Sequence, residues 1–326
     1  MEVLAESSTE WCYASRGGFS NIARARILLV DEYGGSMTGV QLAQAFSPKV
    51  MTALSRTSLG GSAARISMIA KLVEDGSDAT LGDAFDIAHG LLAQHYRSEY
   101  VFKNAIISKI VYGRHSPATA TALLELQMGS SIADVVVVNG TSTIYEVKTD
   151  LDQFVRLETQ LTDYCSRAEH VYVVTSDARA AAAALRAPEH VGIIGLRPNG
   201  SLTTLRKAGS NMKRMQQDHL FAILRTAEAS AVLERTHDLV FDKHRARALQ
   251  QMRSAFRDLP IETAHAETVK QLRSRGRSAS QLAMRAALPS SLRALAYTAD
   301  YSRIGVSRIR DRLGAPAALF MGVDAH

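Results

Sequence analysis

Two carboxylates and a lysine stand at the centre of the chain in a pattern that suits metal-dependent hydrolysis. Asp134 opens the apolar segment ADVVVV, and Glu146 and Lys148 lie in TIYEVK with only Val147 between them. Because side chains alternate along a strand, Glu146 and Lys148 point to the same face. Carboxylate oxygens bind Mg²⁺, which activates water and stabilises a reacting phosphodiester. A neighbouring lysine can orient the water or neutralise developing negative charge.

A tight turn is expected to bring these residues together. Asn139-Gly140, between VVVV and TIYEV, is a strong hairpin signal, and folding there places Asp134 and Glu146 near the same end of two antiparallel strands. A D…ExK spacing by itself occurs by chance in many strands, where the charges are simply solvated. Here the apolar runs predict buried strands, in which charges are costly unless they are paired or bind metal.

The helix that follows the second strand adds further polar groups. Gln160 and Tyr164 lie four residues apart and therefore share one face of this helix. Arg156 precedes Gln160 by four residues on the same face, which makes it a candidate for a phosphate contact. The alternative for Arg156 is an ordinary surface arginine.

These motifs resemble those of the PD-(D/E)XK nuclease superfamily. Asp134 is followed by eleven intervening residues and then by Glu146-Val147-Lys148, while the proline of the superfamily name is absent. Gln160 and Tyr164 match the QxxxY signature of the RecB-like branch. Over residues 95–207 the chain is similar to a bacterial family of largely uncharacterised nuclease-like proteins.

The resemblance implies a fold and a set of roles. The fold would be α/β, with a restriction-endonuclease-like αβββαβ core, a mixed sheet, and helical regions on either side in the sequence. Asp134 and Glu146 would bind Mg²⁺ or Mn²⁺, Lys148 would serve the attacking water, and Gln160 and Tyr164 would position the substrate.

Residues before the hairpin offer further candidates. In this superfamily the helix before the first core strand often supplies an acidic ligand, and Glu99 is the candidate here; an acidic residue is also favoured in a first helical turn by the helix dipole alone. Glu125, near the end of the strand predicted over 118–128, is either an extra ligand or, as we favour, directed to solvent. Arg114 and His115, in the loop between, are candidates for phosphate contacts or are merely exposed.

The order of elements predicts three regions. A helical region spans 1–95, a nuclease-like core spans 96–208, and a basic helical region spans 209–326. Within the core, whose order is helix, three strands, helix, strand, a strand–helix–strand crossover brings the late strand into the sheet in parallel.

The last third of the chain is basic. Residues 211–326 hold 19 Lys/Arg against 11 Asp/Glu, whereas the remainder holds 19 against 21. This asymmetry favours a polyanionic partner, with DNA expected, although a basic helical surface explains it equally well. Arg273, Arg275 and Arg277 form a small basic patch suited to a nucleic-acid backbone. The segment from 278 to 314 could form a helix-turn-helix-like unit, in which Tyr297 and Tyr301 either stack on bases or join the core.

Composition excludes several classes of protein. No apolar run approaches the length of a membrane span, and the first residues carry no secretory signal. The two cysteines are far apart, so neither disulfides nor a cysteine metal site is expected and a cytoplasmic location fits. The expected function is a Mg²⁺-dependent nuclease of phage defence or DNA processing, with a homo-oligomer or a protein partner possible through the helical flanks. The alternatives are a catalytically silent module that binds nucleic acid or protein, and an RNA-cleaving toxin or effector.

Overall fold

A six-stranded mixed sheet forms the centre of the protein, whose computed structural model describes residues 28–30, 36–74, 78–237, 247–277, 282 and 287–322. Its strands lie side by side in chain order, with β3–β4–β5 and β7–β8 antiparallel and β5–β6–β7 parallel. They are β3 (Thr121–Met128), β4 (Ser131–Val138), β5 (Ser142–Lys148), β6 (His170–Ser176), β7 (Gly192–Leu196) and β8 (Leu202–Arg206). A separate antiparallel pair consists of β1 (Leu28–Val30) and β2 (Ser36–Thr38).

Helices flank this sheet, so the predicted α/β class with a mixed sheet is confirmed. Before β3 come α1 (Gly39–Ala45), α2 (Pro48–Ser55), α3 (Ala63–Ala70), α4 (Leu81–His95) and α5 (Glu99–Ile106), which continues as a π-helix over Ile107–Arg114. The crossover helices are α6 (Leu157–Cys165) and α7 (Asp177–Arg186). After β8 come α8 (Gln217–Ile223), α9 (Thr226–His237), α10 (Ala248–Arg257), α11 (Ile261–Arg275) and α12 (Arg303–Leu313).

The hairpin forms at the turn that the sequence predicts. Gly140 has a φ of 97°, a backbone conformation that glycine adopts without steric cost, and Val138 pairs with Ser142 across the turn. Every residue of β5 is buried, because this central strand is covered by helices on both faces. The crossover through α6 sets β6 parallel to β5, as predicted.

Each face of the sheet carries its own hydrophobic core. On one face, β-strand residues such as Val135, Val137 and Val147 pack with α1–α5 and with the end of the chain. On the other face, Val136 and Ile144 pack with α6–α11. The molecule is therefore a helix–sheet–helix sandwich in this part of the chain.

The last third of the chain is divided between these two cores. Residues 212–237 and 247–272 pack on the α6 face, whereas residues 288–320 join the N-terminal helices. Backbone contacts fasten the end of the chain to α4: Leu81 N–H donates to the Ala315 carbonyl at 2.9 Å. The boundary predicted at residue 209 thus separates sequence regions but not two bodies in space.

The helix-turn-helix-like unit predicted over 278–314 falls partly on residues 278–281 and 283–286, which lie outside the described residues, so it stays a prediction. In the described part, Ser290–Leu292 and Ala294–Tyr297 are 3₁₀ turns that precede α12. Tyr297 is buried in the core and Tyr301 packs against it, so neither side chain is presented for stacking on bases. Among the described residues, no helix combines the length and the apolar character that a bilayer crossing requires.

Candidate active site

The site begins where β4 and β5 stop pairing. Their antiparallel ladder runs from Val138 and Ser142 to Val135 and Tyr145, which leaves Asp134 and Glu146 at the next position. There the Asp134 side chain replaces the ladder, because its Oδ2 accepts a hydrogen bond of 2.7 Å from the Val147 backbone N–H. The hairpin therefore holds the two carboxylates side by side, and Asp134 Oδ1 is left for another partner.

Glu146, Lys148, Gln160 and Tyr164 form one hydrogen-bonded network. Glu146 is 1% exposed; its Oε1 accepts from Lys148 Nζ at 2.6 Å, and its Oε2 accepts from the Tyr164 hydroxyl at 2.9 Å. Lys148 Nζ also donates to Gln160 Oε1 at 2.9 Å. The structure thus brings together the four residues that sequence reasoning grouped on β5 and α6, and it fixes the Lys148 ammonium from two sides.

Burial makes additional negative charge unfavourable at this place. Burial, followed by the charge of Glu146, raises the pKa of Asp134 to about 8. Burial and the same glutamate raise the pKa of Tyr164 far above its ordinary value, so its hydroxyl remains a hydrogen-bond donor. Two adjacent buried carboxylates are stable together only with compensating positive charge, which a bound cation would supply.

A lysine that sequence reasoning missed lies beside Asp134. Lys103 Nζ contacts the carboxylates of Glu99 and Glu125 and lies 3.5 Å from Asp134 Oδ1. Burial alone would lower the pKa of Lys103, but the charges of Asp134 and Glu99 and the hydrogen bond to Glu125 outweigh it and raise the pKa above its ordinary value. One signal in the sequence was available: Lys103 follows Glu99 by one helical turn.

Glu125 is exposed, as the favoured interpretation predicts, and it also lies beside Lys103. Its side chain is 58% exposed, yet its carboxylate contacts Lys103, and oxygens of Glu99, Glu125 and Asp134 all lie within 4.8 Å of one another. Its φ of 52° is rare for a residue with a side chain, and strained backbone conformations of this kind cluster at functional sites. No sequence pattern predicts such a backbone conformation inside a strand.

The predicted phosphate contacts before and after the hairpin are spread widely. His115 Nε2 lies 2.7 Å from Asn139 Nδ2, so His115 and its neighbour Arg114 lie near the turn of the hairpin. Asn139 is five residues from Asp134 along β4, a distance of about 16 Å in a strand. Arg114 and His115 are therefore remote from the two carboxylates. Arg156, in contrast, is exposed immediately before α6, the helix of the network.

The three arginines of the predicted basic patch at the end of α11 have different surroundings. Arg275 pairs with Glu228, donates to the Ile223 carbonyl and has a side chain only 11% exposed. Its role is therefore to fasten α11 to α9, and the prediction that Arg275 binds nucleic acid is wrong for this conformation. Arg273 donates to the Ala118 carbonyl at 2.9 Å, and Arg277 is exposed. Arg273 and Arg277 stay candidates for backbone contacts.

A comparison with known families identifies the group to which the chain belongs. Residues 93–296, more than half of the chain, match the family described as Bacteriophage P4 protein cII. The chain belongs to the bacteriophage P4 cII family. The cII match begins shortly before α5 and includes the whole six-stranded sheet and α6–α11, so every residue of the site described above lies within it. No curated protein and no solved structure matches the chain.

Proposed function

We propose that this cII-family protein is a metal-dependent nuclease of the PD-(D/E)XK type that hydrolyses phosphodiester bonds, with DNA as the expected substrate. The observation that supports the proposal is the convergence of Asp134, Glu146 and Lys148 where β4 and β5 separate. Lys148 is additionally held by Gln160 from α6. Convergent carboxylates and a fixed ammonium are the groups that phosphodiester hydrolysis requires.

The donor set fits Mg²⁺ or Mn²⁺. Asp134 and Glu146 would hold the ion, and Glu99, the third predicted ligand, has a carboxylate oxygen within 4.8 Å of one of Asp134. Asp134 Oδ1 faces the Lys103 ammonium at 3.5 Å. Within the part of the chain that the structure describes, Oδ1 accepts no backbone hydrogen bond, whereas Oδ2 does, so Oδ1 is suited to a cation. When bound, the ion supplies the positive charge that lowers the pKa of water and offsets the charge of the phosphate.

The protein side chains would orient the reaction. Lys148 would donate a hydrogen bond to the attacking water and then neutralise charge that develops on the phosphate oxygens. Gln160 would keep the Lys148 ammonium in place, and Tyr164 would hold the Glu146 carboxylate in its buried orientation. Preorganised charges of this kind require little rearrangement during the reaction.

The substrate would be held mainly through its backbone. Arg156 is exposed immediately before α6, and Arg273 and Arg277 belong to the basic last third of the chain. Contacts of this type give affinity that depends on salt but not on base sequence. We place the enzyme in the cytoplasm, with phage defence or DNA processing as its setting and with a homo-oligomer or protein partner contacting the helical flanks. The buried, unpaired thiol of Cys165 is consistent with a reducing compartment.

One observation favours a second candidate, a module that binds nucleic acid or protein without cutting. Lys103 and Lys148 already provide positive charge to the carboxylates, so part of their charge is compensated within the fold before any metal binds. An RNA-cleaving effector would use the same residues as the DNase and would differ in its substrate. Metal binding separates the silent module from both nucleases.

The test compares Lys148→Met with Lys109→Met, a replacement of an exposed lysine elsewhere in the chain. We expect Lys148→Met to reduce Mg²⁺-dependent cleavage at least about 100-fold, a typical loss when one preorganised transition-state donor is removed. Lys109→Met should cleave like the wild type, and thermal melting should show both variants folded. Equal cleavage by folded Lys148→Met would remove Lys148 from the mechanism.

A further inference from the structure

The ammonium of Lys103 lies among three carboxylates that come from three different elements. Glu99 belongs to α5, Glu125 to β3 and Asp134 to β4, and Lys103 reaches them from α5. We call these four residues the Lys103 cluster. The Lys103 side chain is 10% exposed, so its position is set by packing as well as by charge.

The cluster is held by the fold on each side. Glu125 and Asp134 are opposite one another in the antiparallel pairing of β3 and β4, between the pairs Leu124–Val135 and Leu126–Ala133. A buried ammonium is stable only when it is paired, and here carboxylates surround it. Lys103 therefore has the environment of a bound cation, although it is part of the chain.

The net charge of the whole site is balanced by one divalent ion. Glu146 is outside the Lys103 cluster and is served by Lys148 and Tyr164. With a metal bound and the side chains ionised, the carboxylates of Glu99, Glu125, Asp134 and Glu146 face the ammonium groups of Lys103 and Lys148. Four negative and two positive charges leave two negative charges, which one Mg²⁺ or Mn²⁺ neutralises.

We propose that Lys103 takes the place of a second divalent cation, so that the site binds a single metal ion. This inference rests on the proposed nuclease function, which places that ion at Asp134 and Glu146. In two-metal nuclease sites the ions are about 3.5–4 Å apart and share a carboxylate. Asp134 would be the carboxylate shared between the metal ion and Lys103, since its Oδ1 faces Lys103 at 3.5 Å and Glu146 is its neighbour on β5. Lys103 is thus a positioning residue that fixes the metal count.

The experiment is a Mn²⁺ titration of the full-length protein, followed by calorimetry and by the loss of the free-Mn²⁺ electron paramagnetic resonance signal. We expect one bound Mn²⁺ per chain for the wild type and for the control Lys109→Met, and two for Lys103→Met. Lys103→Arg, which retains a fixed positive charge, should bind one. Adding Glu125→Gln to Lys103→Met should return the count to one, because the second position loses a ligand.

The outcomes separate this inference from the proposed function. One ion in the wild type and one in folded Lys103→Met would overturn the role of Lys103 and leave the nuclease proposal standing. Two ions in the wild type would also overturn it. No ion in the wild type would remove the metal site of the proposed function and this inference with it.

A second variant covers the case in which Lys103→Met does not fold. Glu125→Gln in the wild-type background keeps Lys103 in place, and Glu125 contacts Lys103. We therefore expect a single bound Mn²⁺, with an affinity within about threefold of that of the wild type. This change is well below the tenfold change in affinity that corresponds to about 1.4 kcal/mol of binding free energy. A loss of tenfold or more would make Glu125 a ligand of the one metal and would contradict the proposal.

Discussion

Replacing Asp134 by asparagine should make the metal-free protein more stable at neutral pH. Burial and the adjacent Glu146 raise the pKa of Asp134 from 3.8 to about 8. The folded protein therefore keeps a proton on this carboxyl that the unfolded chain has already lost. The associated stabilisation is complete below about pH 4 and disappears as the pH rises through 8. Asparagine has nearly the same shape, does not ionise, and can still accept the Val147 N–H.

The size of the effect follows from the two pKa values. Each unit between the unfolded and folded pKa corresponds to about 1.4 kcal/mol of unfolding free energy. Between pH 5 and pH 8 the largest loss of unfolding free energy that Asp134 can cause is therefore about 4 kcal/mol. This limit is reached only if Asp134 titrates independently of Glu146. We expect the unfolding free energy of the wild type to fall by about 2–4 kcal/mol more than that of Asp134→Asn between pH 5 and pH 8.

The assay is urea unfolding at pH 5 and at pH 8 in the presence of a chelator, with circular dichroism as the signal. Other titrating groups are shared by both proteins, so the difference between their pH slopes reports residue 134 together with its interaction with Glu146. Parallel slopes, with equal losses from pH 5 to pH 8, would refute the reasoning that a buried, like-charged environment holds the proton on Asp134. Added Mn²⁺ should reverse the order, because it stabilises only the protein that binds it.

Three further variants test other contacts of the site and its supports. Asp163→Ala should lower the unfolding free energy by about 1–3 kcal/mol, because the Ser130 and Ser131 hydroxyls and the Arg167 guanidinium lose their acceptor. Chemical unfolding measures this, and an unchanged unfolding midpoint would contradict it. Tyr164→Phe should weaken Mn²⁺ binding about 10-fold with little change in fold, because Glu146 loses its orienting hydroxyl. Calorimetry measures this, and a Mn²⁺ affinity equal to that of the wild type would contradict the role of Tyr164. Glu125→Gly should be about 1 kcal/mol more stable than Glu125→Ala, since both lose the carboxylate but only glycine adopts the left-handed backbone without strain. Equal melting temperatures of the two variants would show that the backbone at residue 125 is not strained.

Local signals predicted much of the central sheet. The Asn139-Gly140 turn, the apolar strands beside it and the Gln160–Tyr164 spacing depend on residues near one another in sequence, and the structure has the hairpin, the following helix and their network where these signals place them. The parallel strands follow because a crossover through one helix returns the chain in the same direction.

Contacts between distant segments could not be predicted in the same way. The ion pair of Arg275 with Glu228 and the packing of residues 288–320 on the N-terminal helices depend on how elements far apart in sequence meet. The Lys103 cluster likewise joins α5 to β3 and β4, and its Glu125 adopts a backbone conformation that residue type does not favour. Composition shows only that the last third is basic, whereas tertiary structure decides which arginines are already paired.

Cleavage of nucleic acid by the purified protein tests the proposed nuclease most directly. Wild type and Lys148→Ala would each be incubated with plasmid, linear duplex DNA, single-stranded DNA and RNA, in Mg²⁺, in Mn²⁺ and in chelator. We predict metal-dependent cutting of DNA by the wild type, and loss of that cutting in Lys148→Ala and in chelator. Cutting that persists in folded Lys148→Ala, or binding of every substrate without cutting in either metal, would contradict the nuclease proposal.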